Sequence, residues 1–164
     1  MIRRTQSMTR PITGERSEDA SLYERDFYAW TQAQAALIEA GHLGSLDLEH
    51  LAEEIEDMGS EQRHAVSSQL RHLLAHLLKL RYSPARYPRR GWIVETQNAR
   101  DEIAARLATS PSLRAQLPRL LDDEWPRARR AAVLQMDVYG EQADIPRECP
   151  FTLEQALDDD YRPG

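Results

Sequence analysis

Residues 66–78 read VSSQLRHLLAHLL, and their spacing decides the fold. Val66, Leu70, Leu73, Leu74, Leu77 and Leu78 recur at steps of three and four, the repeat of one face of an α-helix. A half-buried strand would instead alternate apolar and polar residues, and nowhere in the chain does a run of β-branched or aromatic residues do so. Upstream, Leu48, Leu51, Ile55 and Met58 carry the same repeat, which predicts a second buried stripe with Asp47 as its N-cap. Gly59 and Ser60 supply a stop followed by a new cap. A single helix over 47–82 would be roughly 54 Å long, against a radius of gyration of about 15 Å for a globule of this size. A break or sharp kink at Gly59 is therefore expected.

The reading extends in both directions. Ser21 and Glu24 have capping-box spacing. Tyr23, Phe27, Trp30, Gln34, Leu37 and Ile38 then form a helical stripe that Gly41 should stop. Residues 1–18, with Pro11, Gly14 and no periodicity, predict a flexible arm. Downstream, Pro84 and Pro88 make 82–91 a loop, and Trp92, Thr96, Ala99, Ile103 and Leu107 mark another helix. Ser110 and Pro111 open the next, whose stripe runs from Leu113 through Leu117, Leu121, Trp125, Ala128, Ala132 and Val133 to Met136, ending at Gly140. Pro118 and Pro126 should kink or restart it, since a mid-helix proline costs about 3 kcal/mol. Thr152 and Gln155 cap a short last helix ending near Asp160. The expectation is an all-α, single-domain helical bundle of about five to seven helices over 19–164, with a proline-kinked penultimate helix.

Composition narrows the function classes. With 164 residues, 27 acidic against 21 basic side chains and a formal charge of -6, the chain is not a protein whose whole surface binds nucleic acid. Lys79 is the one lysine; the other basic residues are arginines, suited to planar pairing with carboxylates between helices. The single cysteine, Cys149, excludes an intrachain disulfide and a thiolate-rich zinc site, and is read as a small buried apolar residue. No apolar run approaches the roughly 20 residues of a membrane span. Residues 1–19 lack the apolar centre of a secretory signal, so no membrane is expected and the cytoplasm is the simplest compartment.

Three polar constellations are candidates for chemistry. Between Asp47 and Glu61 lie seven carboxylates and no arginine or lysine. His50, Glu54, Asp57 and Glu61 share one helix flank, the donor chemistry of a divalent-cation site in a bundle. The paired Glu-x-x-His of such sites is absent, and acids pairing with arginines of neighbouring helices is the preferred reading. His72 and His76 are an i, i+4 pair that could place two imidazoles on one metal. Leu73 stands where the zinc proteases carry glutamate, and ordinary exposed or interhelical histidines are preferred; no metal is predicted. Lys79, Arg81, Arg86, Arg89 and Arg90 are interleaved with Tyr82, Tyr87 and Trp92, the ingredients of a single-stranded nucleic-acid contact. Tyrosines near prolines more often pin a loop to the core, so nucleic acid is not favoured. No serine elbow, P-loop or dinucleotide fingerprint occurs.

Several runs taken together point to a family: Tyr23-Glu24-Arg25-Asp26-Phe27-Tyr28-Ala29-Trp30, Leu51-Ala52-Glu53-Glu54-Ile55-Glu56-Asp57-Met58-Gly59, Leu73-Leu74-Ala75-His76-Leu77-Leu78-Lys79, Ser110-Pro111-Ser112-Leu113 and Cys149-Pro150-Phe151. Across nearly all of 21–163 the chain resembles the bacterial domain-of-unknown-function 29 family. The resemblance implies a helical bacterial protein and implies no reaction, cofactor or catalytic residue.

The reading that follows is a non-catalytic helical protein-interaction module, self-associating or with a protein partner, and without a cofactor. Its contact surface would involve Glu54, Asp57 and Glu61 or Arg86, Arg89, Arg90 and Trp92. The competing readings are a metal-dependent, hydrolase-like enzyme using Glu54, Asp57, Glu61 and nearby histidines, with His50, Glu54, Asp57, His72 and His76 as the weak metal candidates, and a weak nucleic-acid binder through 79–92.

Overall fold

The structure is a computed structural model and describes residues 22–163. The arm at 1–18 and the Ser21 cap lie outside the described residues. The fold is all-α, with no strand among the described residues. A helical turn at 22–25 is followed by α1 (Phe27–Glu39), α2 (Leu48–Tyr82), α3 (Arg89–Thr109), α4 (Leu117–Val138) and α5 (Leu153–Leu157). Short 3-10 helices occupy Leu43–Ser45 and Pro111–Gln116. No helix among the described residues is long and apolar enough to cross a membrane. The chain divides into two compact units at the Met58–Gly59 junction.

In the first unit α1 starts later than its spacing suggested. Asp26 is the N-cap, its carboxylate accepting from Ala29 N at 2.9 Å. Gly41 stops the helix as expected. At φ +73° it lets His42 N reach Leu37 O (2.9 Å) and Gly41 N reach Ile38 O (3.0 Å), the paired bonds of a Schellman motif. Trp30 and Gln34 are buried, whereas Phe27 and Ile38 are about half exposed.

Two expectations for the second stripe fail. First, α2 runs unbroken through Gly59. Glycine ends a helix by adopting the left-handed conformation, and Gly59 stays helical at a cost of about 1 kcal/mol relative to alanine, carried by the strong helix formers around it. Second, Leu48, Ile55 and Met58 are not buried; each is 66% exposed. Periodicity identified the apolar face correctly, but it carries no information about what covers that face.

The core lies in the second unit. From Leu73 to Leu80 every residue of α2 is buried, so this segment is enclosed on all sides rather than along one stripe. Ala99, Ile103 and Leu107 of α3, Leu120, Leu121, Trp125, Ala128, Ala132 and Met136 of α4, and Ile145, Phe151 and Ala156 beyond it complete the cluster. Helix α3 begins at Arg89, earlier than Trp92, which places Arg89 and Arg90 in its first turn rather than in a loop. Pro111 starts a 3-10 segment and the Ser110 side chain makes no cap. Pro118 sits at the start of α4, where its missing N–H is harmless, while Pro126 lies inside the helix. Thr152 and Gln155 form the expected capping box on α5. Cys149 is half-buried against the core.

The arginines do tie elements together, but through carbonyls more than carboxylates. Arg100 is buried, and its fork donates to Ala156 O, Asp159 O and Tyr161 O at 2.9, 3.4 and 3.2 Å. Arg129 donates to Ile145 O and Pro146 O in the same way, holding the strandless 139–152 segment to α4. A planar group presents five donors in a fixed fork, where a lysine ammonium offers three from one point.

Candidate functional site

The acidic stretch meets aromatic rings. Tyr23 Oη donates to Glu54 Oε1 at 2.5 Å, and the Tyr23 ring stacks on His50 with centroids 4.0 Å apart. His50 Nδ1 lies 2.6 Å from Asp47 Oδ2, which also accepts from Trp30 Nε1 at 3.2 Å. Gln34 Oε1 accepts from Asp47 N, fixing the start of α2. The hydrogen bond to Glu54, aided by burial and by surrounding carboxylates, pushes the Tyr23 phenol up to about 12. Burial would raise the Asp47 carboxyl, but hydrogen bonds from His50 and Trp30 outweigh it and hold it below its ordinary value. The same contact with Asp47 raises the His50 imidazole. Asp57 and Glu61 are exposed and have no hydrogen-bond or ion-pair partner among the described residues. Tyr23 thus satisfies Glu54, and His50 and Trp30 satisfy Asp47, where the sequence favoured arginines of neighbouring helices.

The two histidines of the i, i+4 pair diverge in environment. His72 is about half exposed, its Nε2 3.1 Å from Glu95 Oε2. His76 is buried, with Nδ1 3.0 Å from His72 O, so this nitrogen carries the proton and the ring is neutral. Burial drives its pKa down to about 4, and the charges of Lys79 and His72 push the same way. The rings are 4.3 Å apart, yet each is already engaged elsewhere. Among the described residues no group of three or more histidine, cysteine or carboxylate side chains could hold a metal ion.

A buried carboxylate escaped the sequence reading altogether. Glu124 of α4 accepts from Ser67 Oγ at 2.5 Å and from Arg127 Nη1 at 2.9 Å through the same Oε1, with Arg71 Nη1 3.7 Å from Oε2. It sits at a cleft of about 300 Å³ beside Arg63 and His64, and joins α4 to α2 across 57 residues of sequence. Only the packed fold brings these residues together.

The basic and aromatic stretch builds something more definite. Lys79, on the enclosed part of α2, is 6% exposed. Its Nζ donates to Gln135 Oε1 at 2.9 Å and stands 5.3 Å from the centroid of the Trp92 ring, a cation–π contact. Burial pulls its ammonium below the ordinary lysine value, and Glu95 only partly offsets this. These groups line a cavity of about 410 Å³, within the usual size range of a small-molecule site. Its walls are Pro88 and Trp92 at the start of α3 and Met136 near the end of α4, together with exposed Tyr139. Glu141 also lines it, its Oε2 accepting from Ser83 Oγ at 2.5 Å. Arg86 and Arg90 are exposed and Arg89 is half-buried; none has an ion-pair partner among the described residues. The sequence had singled out Trp92 and these arginines, but not Gln135 or Glu141, which no local spacing connects to them.

A family-wide sequence model described as "Domain of unknown function DUF29" matches residues 22–162. No curated protein sequence and no solved structure matches the chain.

Proposed function

We propose that this chain, which belongs to the DUF29 family, is a non-catalytic helical interaction module whose contact surface is the N-terminal part of α2. The observation that carries the reading is the exposure of Leu48, Ile55 and Met58 at 66% each, on the most acidic stretch of the sequence. Leu48, Leu51, Ile55 and Met58 are spaced three, four and three apart, the a and d positions of two heptads. Burying each exposed side chain against a partner would contribute about 1.5–3 kcal/mol. Around this seam stand Glu49, Glu53, Glu54, Glu56 and Asp57 with no arginine or lysine between Asp47 and Met58. A second copy of the same seam would bring like charges together. The fitting occupant is a cationic amphipathic helix of another protein, leucine-like on one face and arginine-rich on its flanks.

The reading is tested by titrating the full chain with a synthetic leucine–arginine amphipathic peptide and with a scrambled peptide of equal charge. The amphipathic peptide should bind at least about tenfold more tightly. Ile55→Ser and Met58→Ser, both at exposed positions, should remove the preference without lowering the melting temperature. Equal binding of the two peptides, or a preference that survives both substitutions, would overturn the proposal.

A further inference from the structure

The Lys79 cavity is a separate feature of the second unit. A lysine ammonium has three donors, and Gln135 Oε1 is the one hydrogen-bond acceptor that Nζ has among the described residues. Such a group, with its residue more than nine-tenths buried and its Nζ at a cavity, is costly unless something accepts from it. The α3 N-terminus at the same wall adds to the demand for negative charge. Its first turn holds no acidic residue, Pro88 offers no side-chain cap, and Arg89 and Arg90 place further positive charge at the positive end of the helix dipole. Trp92, Met136, Pro88 and Ala85 supply an apolar part of the lining, which Tyr139 and Glu141 complete.

We infer that this cavity is a binding site for a small aromatic monocarboxylate, its carboxylate on Lys79 Nζ and its ring against Trp92 and Met136. A single negative charge fits better than a phosphate dianion because the Glu141 carboxylate is part of the lining. The cavity volume of about 410 Å³ accommodates a ring with a short acid side arm. Gln135 acts as a positioning residue, holding Nζ toward the opening from the exposed side of α4.

Isothermal titration of the full chain with phenylacetate and with phenylacetamide, its uncharged counterpart, provides the test. Phenylacetate should bind at least about tenfold more tightly, the worth of a hydrogen bond to a charged group. Lys79→Met, close in length and apolar, should abolish the difference while leaving the amide unchanged. Should that variant fail to fold, Trp92→Leu decides, because the loss of the ring should weaken both probes together. Ile55→Ser, on the first unit, should change neither. An amide that binds as well as the acid, a folded Lys79→Met protein that still discriminates, or a Trp92→Leu protein with undiminished affinity would each overturn the inference.

Discussion

His76 illustrates how a single buried residue couples stability to pH. Enclosure pushes its pKa down to about 4, from about 6.5 in an unfolded chain. Between those values the unfolded chain binds a proton that the folded chain refuses, so stability falls as the solution is acidified through the window. The loss is at most about 3 kcal/mol. His76→Leu should therefore lose less than the natural chain between pH 7 and pH 4.5, as read from urea midpoints, and an equal loss in both would refute the assignment. His50 acts in the opposite sense to His76, and Asp47 in the same sense at lower pH. The raised His50 imidazole contributes fully below about pH 6.5 and fades as pH rises through its folded value. The lowered Asp47 carboxyl contributes above about pH 3.8 and fades on acidification through its own. Their mutual contact is thus strongest in mild acid, where His76 is already a burden.

Helix boundaries were legible wherever the controlling contact is local. Gly41 and Gly140 are both at positive φ, and each completes a Schellman pair with carbonyls only a few residues back. The Thr152–Gln155 box is equally short-range. Gly59 looks the same in sequence and behaves otherwise, because a glycine without a reason to turn remains helical. A Cβ placed there meets nothing within 4 Å. Gly59→Ala should accordingly stabilise the chain by about 0.5–1 kcal/mol, whereas Gly41→Ala, forced into φ +73°, should destabilise it by about 1 kcal/mol or more. Thermal melts of the two variants should shift in opposite directions; a shift in the same direction would show that Gly59 serves a turn after all.

Across the whole molecule the apolar residues are unevenly spent. In the first unit Trp30 is the one large apolar side chain buried among the described residues, while the second holds the entire extended core cluster. Amides of 73–80 should be the last to exchange with deuterated solvent, and those of 48–58 should exchange far earlier through local opening; comparable protection would mean the exposed stripe is covered in solution. This imbalance was hidden in a sequence whose leucine stripes look alike on either side of Gly59. The cavity was half legible for a similar reason. Lys79 and Trp92 belong to one marked stretch, but Gln135 lies 56 residues from Lys79 and meets it only through the packing of α4 on α2. The solitary lysine has one more consequence. On most proteins acylating reagents scatter across dozens of surface amines, but here the only side-chain amine in the sequence stands inside a walled recess. Side-chain acylation of this chain is therefore confined to one atom, and its speed clocks how freely small molecules reach that atom.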